Sequence, residues 1–137
     1  SLVDGLNNNT IDVIVSDHKP EDEEQKRLTF AQAATGSSGI ETLLPLSLEL
    51  YHNGYLSLLD SLSKLTCAPA ELLGLPAGRL RAGSKADFTV FNPDRAWQVN
   101  SDDLASKAKN TPFDGRPVQG EVLRTVIDGR TVYRVDH

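Results

Sequence analysis

The residues best placed to do chemistry lie together near the start of the chain. An apolar run, Ile11-Asp12-Val13-Ile14-Val15, ends there in Ser16-Asp17-His18-Lys19-Pro20. A carboxylate one residue past a strand end can ligate a metal, or shuttle protons to a water that the metal activates. Asp17 can equally accept hydrogens from backbone amides, as an Asp before a turn commonly does. His18 has the same two options: it can ligate or carry protons, or it can point away and brace the loop. A hydrolytic metal site needs several His, Asp or Glu ligands, and the chain has His18, His52 and His137 as its histidines. His52 stands beside Asn53-Gly54 at a predicted helix end, where an imidazole commonly meets the last carbonyls. His137 is terminal and reads as part of a tail. Cys67 has no partner at metal-ligand spacing and reads as a packing residue. No Ser-His-Asp arrangement is spelled out, and the glycines do not form a nucleotide-binding fingerprint.

The element that must position Asp17 is the run before it. Ile11 to Val15 is mostly apolar and β-branched, which is what a parallel strand covered on both faces requires. Functional groups gather at the carboxyl ends of such strands, because the strand fixes position while the loop after it is free to vary. Residues 1 to 6 read as a helix end, and Asn7-Asn8-Asn9 as a turn. The charge run Glu21 to Arg27 reads as a solvated surface segment, and Gly36-Ser37-Ser38-Gly39 as a flexible turn. From Ile40 the pattern is helical. Leu43, Leu44, Leu46, Leu48 and Leu50 are too dense for a narrow stripe, so this helix is largely covered. Pro45 fits if the helix begins near Thr42. A second helix is expected over Leu56 to Leu65 and a third from Ala68 to Gly74. After Pro76 turn signals separate short β-type runs: Phe88 to Phe91, Val122 to Ile127 and Thr131 to Val135. Asp128-Gly129 between the last two predicts a hairpin. The chain thus divides near residue 76, with a strand-loop-helix unit before it and a small antiparallel β module after it.

Composition narrows the field. Charged residues make up 24% with a net charge of −5, and acids and bases are interspersed. That leaves no electrostatic footprint for nucleic acid or an anionic membrane. No apolar stretch reaches the length of a membrane span. The single cysteine, Cys67, forbids an intrachain disulfide and suits a reducing, cytoplasmic compartment. The chain opens without an initiator methionine and contains no methionine, which reads as a piece of something longer.

Four stretches together resemble one family, the dihydroorotases of the amidohydrolase superfamily. "TIDVIVSDHKP" (residues 10–20) resembles the last barrel strand of those enzymes, and "GSSGIETLLPLSLEL" (36–50) the segment that follows it. "LTCAPAELLGLPAGRLRAGSKADFTVFNPDRAWQV" (65–99) resembles the passage from barrel to small β module. "NTPFDGRPVQGEVLRTVIDGRTVY" (110–133) resembles the C-terminal signature, and "NTPF" favours dihydroorotase over its allantoinase and hydantoinase relatives. The resemblance implies an α/β plus β fold class. Residues 1–76 would be the C-terminal part of a (β/α)8 TIM barrel, with its last strand and helices. Residues 77–137 would be the C-terminal part of a small antiparallel β-sandwich.

The resemblance also implies the reversible hydrolysis of dihydroorotate to N-carbamoyl-aspartate in pyrimidine biosynthesis, with one or two zinc ions. Asp17 matches the acid on the eighth strand, which contacts the metal and acts as base and then acid. It would take a proton as the ring amide is attacked and pass it to the leaving nitrogen. Thr35 and Gly36 match a short loop whose backbone helps hold the substrate. Glu21 stands where many members have a substrate-contacting histidine, so an anion faces an anionic substrate; Lys19, in place of a small residue, offers a compensating charge. The paired first-strand histidines and the middle-strand ligands would lie upstream of Ser1. The implied protein partners are further copies of the chain in a homo-oligomer, and aspartate transcarbamoylase. Alternatives are a catalytically weakened structural partner of that transcarbamoylase, and another cyclic amidohydrolase of the allantoinase or hydantoinase type.

Overall fold

A computed structural model describes residues 1–135, so His137 lies outside the described residues. Helices fill the first half. They are α1 (Leu2–Asn7), α2 (Glu23–Lys26), α3 (Ile40–His52), α4 (Leu58–Ser63) and α5 (Cys67–Leu72). Strands β1 (Phe88–Gln98), β2 (Pro117–Ile127) and β3 (Arg130–Arg134) form one antiparallel sheet in the order β1-β2-β3. No helix is long and apolar enough to cross a membrane.

The three-stranded antiparallel sheet is the expected one, with β1 and β2 longer than expected. β1 runs on to Gln98 because the ladder slips between Asn92 and Ala96 and then resumes as Ala96↔Gln119, Trp97↔Val118 and Gln98↔Pro117. Asn92-Pro93-Asp94 has the residue types of a turn, and the irregularity absorbs it without ending the strand. Trp97 Nε1 donates to Gly120 O at 2.9 Å across this pair. The β2–β3 hairpin turns at Asp128 (φ 49°) and Gly129 (φ 75°). Two successive positive φ values are what a two-residue turn needs to match strand twist, and Asp-Gly supplies them at low cost.

One expected element does not form. Ile11 to Val15 carries no β ladder; its backbone attaches to the fold through Ile11 N donating to Gly5 O at 2.9 Å and Ile14 N donating to Lys64 O at 3.0 Å. A strand exists only by pairing, and the described residues contain no neighbouring strand for it. It is held instead by Lys64, a 6%-exposed side chain whose Nζ donates to Asn9 Oδ1 and Ile11 O, both at 2.9 Å. Helix α4 is two residues shorter than expected at each end, and α5 begins one residue earlier and ends two residues earlier, which is ordinary uncertainty at helix ends.

The core is where α3 meets the sheet. Leu48 is fully buried and Val99 nearly so. A Cβ on Gly120 of β2 would lie 2.5 Å from Leu48 Cδ1, so β2 takes α3 close against a residue with no side chain. Around them Leu104, Val118 and Val126 are buried.

Candidate functional site

Asp17 has an exposed side chain and a positive φ of 44°. Asp tolerates this left-handed conformation better than most residues, but it is still uncommon. Its carboxylate has no hydrogen-bond or ion-pair partner among the described residues. The turn-acceptor role that competes for such an Asp is therefore not in use. Its neighbours are tied down. His18 Nδ1 accepts from Gly39 N at 3.1 Å and from Ile40 N at 3.4 Å. Lys19 N donates to Ser37 O at 3.0 Å, beside an isolated parallel bridge between His18 and Ser37. His18 thus braces the loop, the second of its two options.

The His18 contact also accounts for the start of α3. The helix begins at Ile40, two residues before the expected Thr42, which leaves Pro45 inside its second turn. Gly39 offers no side-chain cap; an imidazole nitrogen brought from another segment satisfies the first amides instead.

Thr35 and Gly36 are brought beside this segment. Lys19 Nζ donates to Thr35 O at 2.9 Å, and Lys26 Nζ to both Ala34 O and Gly36 O at 2.9 Å. A Cβ on Gly36 (φ 134°) would lie 2.4 Å from Lys19 O, so the two backbones touch where only glycine fits. Glu21 is paired with Lys19 at 3.1 Å, with 20% of its side chain exposed. The anion that Glu21 introduces is accordingly met by a cation from two residues away.

Three positioning residues escape a reading of the sequence. Lys26 sits in the charge run expected to be solvated, yet that run forms the single turn α2 and Lys26 is half-buried on the 34–36 carbonyls. Asn110 joins the two halves of the site: its Oδ1 accepts from Glu21 N at 3.2 Å and its Nδ2 donates to Gly36 O at 3.1 Å. Its own carbonyl accepts from Ser38 N at 2.8 Å. Buried Ser38 donates through Oγ to Ala108 O at 2.8 Å. Asn110 opens the quoted "NTPF" stretch, so its residue type was visible; nothing in the spacing said that it faces residue 36.

His52 does not meet the last carbonyls of its helix. Its ring tilts on Tyr51 at 5.1 Å, and Nε2 lies 3.6 Å from Asp94 Oδ1 on β1. Cys67 accepts or donates a contact with Ser63 Oγ at 3.2 Å, and the Ser63 hydroxyl holds the thiol below its ordinary value. No contact links His52 or Cys67 to Asp17. An open groove of about 670 Å³ lies between α3 and the sheet, lined by His18, Ile40, Glu41, Trp97, Glu121 and Tyr133. Among the described residues no three His, Cys, Asp or Glu side chains converge as a metal site. At this site the donor offered is the Asp17 carboxylate, between neighbours whose backbone is held.

The amidohydrolase family pattern matches residues 1–132. The chain is 48% identical over 136 residues to the protein named dihydroorotase of Anaplasma phagocytophilum (strain HZ), covering 99% of this chain and 30% of that one. It is 44% identical over 133 residues to the dihydroorotase of Syntrophus aciditrophicus (strain SB), covering 97% of this chain and 31% of that one. The crystal structure of dihydropyrimidinase from Brevibacillus agri NCHU1002 superposes with a TM-score of 0.91 at 26% identity, over 97% of this chain and 30% of that one. The chain thus spans about a third or less of the length of these relatives.

Proposed function

The chain belongs to the amidohydrolase family, and from that premise we propose that it carries the Asp17 part of a zinc-dependent dihydroorotase. The observation that carries this reading is the Asp17 carboxylate, exposed and unpartnered on a strained backbone, in a chain 48% identical to a dihydroorotase. A carboxylate kept free of internal partners is available to a ligand. The fit to zinc is that of one donor: Asp17 would hold the metal together with ligands outside these 137 residues. The reading places residues 1–76 in the end of a (β/α)8 barrel and 77–137 in its small β-sandwich. Homo-oligomerisation, aspartate transcarbamoylase as a partner and a cytoplasmic setting belong to it through the family resemblance.

The reaction adds water across a ring amide. A carbon–oxygen bond forms at the carbonyl carbon, the ring carbon–nitrogen bond breaks, and a proton passes from the water to the departing nitrogen. When bound, zinc supplies Lewis acidity for the attack. Asp17 takes the water's proton at a carboxylate oxygen and returns it to the ring nitrogen, which requires only hydrogen-bond reach to both. Thr35 and Gly36 offer backbone groups to the substrate, with their carbonyls already turned toward Lys19 and Lys26. Lys19 offsets the charge of Glu21, so the substrate carboxylate does not meet an unbalanced anion.

Glu21 also favours a second reading, a ring amide without a carboxylate, as in the hydantoinase and dihydropyrimidinase relatives. Hydrolysis of dihydroorotate, hydantoin and dihydrouracil by the metal-loaded full-length protein separates the two. The proposal expects kcat/KM to be highest for dihydroorotate. Preference for an uncharged ring, or no turnover of any ring, would overturn it.

A further inference from the structure

Both neighbours of Asp17 are seated on the start of α3. On one side His18 Nδ1 accepts the amides of Gly39 and Ile40, at 3.1 and 3.4 Å. Accepting two N–H groups at Nδ1 assigns the ring hydrogen to Nε2. On the other side, a Cβ on Gly39 would lie 2.7 Å from Ser16 O, so the residue before Asp17 is pressed against the same helix start. Asp17 spans these two anchors with φ at 44°. Without them the peptide has more favourable conformations to relax into, because a residue bearing a Cβ rarely rests in the left-handed region unless its surroundings impose it.

We propose that His18 is the positioning residue of this site: by capping α3 from 21 residues away, it holds Asp17 in its left-handed conformation and so aims the carboxylate. This rests on the reading of Asp17 as the proton carrier. His18 touches no reacting atom in this scheme. Its contribution is geometric, and a displacement of the carboxylate by about 1 Å is enough to cost about 10²-fold in rate.

The test uses His18→Asn, His18→Gln and His18→Leu in the metal-loaded full-length protein. Asn places an amide oxygen where Nδ1 stands and can cap; Gln places it one methylene further out; Leu has no acceptor. For Leu and Gln we expect kcat to fall about 10²-fold with KM changed less than about threefold, and Asn to stay within about threefold of wild type. Hydrogen exchange at the Asp17 to Lys19 and Gly39 to Ile40 amides should accelerate for Leu and Gln and stay native for Asn. Equal loss in all three variants, or full activity with native exchange in His18→Leu, overturns the proposal. If wild type hydrolyses only hydantoin or dihydrouracil, the dihydroorotase reading fails and the same variants decide the role of His18 on that ring. If no ring is hydrolysed, the exchange pattern decides it.

Discussion

At the scale of the residue, the proposed chemistry rests on the carboxylate of Asp17 and the charge pair beside it. Asp17→Asn keeps the side-chain shape but cannot take a proton. Turnover by the full-length enzyme should fall at least about 10²–10⁴-fold, the range of a lost general base, with an unchanged melting temperature; normal dihydroorotate hydrolysis by this variant would remove Asp17 from the mechanism. Lys19 does two things at once, since its Nζ meets both Glu21 and Thr35 O. Lys19→Ala should raise KM for dihydroorotate about tenfold, equivalent to about 1.4 kcal/mol, because Glu21 is left as an unbalanced anion. Adding Glu21→Gln separates the two effects. Recovery of KM assigns the loss to charge, and no recovery assigns it to the lost tether on Thr35.

At the scale of the element, the site is a meeting of two backbone segments, 16–21 and 34–40, fastened by Lys26 and Asn110 and by glycines that permit close approach. Gly36→Ala introduces a Cβ 2.4 Å from Lys19 O at a φ of 134°. Both the clash and the backbone strain act on the folded state, so the variant should be less stable by about 1–3 kcal/mol. Urea unfolding would show this as a lower midpoint at an unchanged slope. A midpoint within error of wild type would mean that the segments do not touch as described. Elements were legible from sequence where local rules suffice. Short β-type runs between turn signals marked β2 and β3, Asp128-Gly129 marked their turn, and the leucine-rich run marked α3. Ile11 to Val15 was misread as a formed strand because periodicity reports what a strand would bury and is blind to whether a partner is present. Lys26 was misread as solvated because a charge run does not say which member turns inward.

At the scale of the whole molecule, the described residues bury little for their number. Leu48, Val99, Leu104, Val118 and Val126 form the main apolar core, while Leu2, Val15, Phe30, Leu59, Leu72, Leu73 and Leu80 are each at least 69% exposed. Exposed apolar surface on this scale marks contact with other protein. The 137-residue chain expressed by itself should elute from a sizing column as an associated species and bind a hydrophobic dye. A sharp monomer peak without dye binding would contradict that. The same chain should bind no stoichiometric zinc by elemental analysis, since no three ligands converge among the described residues.

What the amino-acid sequence determined by itself was the family. An acid placed just past an apolar run, followed by motifs in a fixed order, pointed to the family and to Asp17, because residue types and their order are local properties. Only the tertiary structure decided the conformation that presents that acid. Asp17 has a left-handed backbone, and around its segment the capping of α3 by His18 and the bridging of Glu21 to Gly36 by Asn110 join residues 21 to 89 positions apart. Such contacts are set by how the whole chain packs, and no spacing along the sequence encodes them.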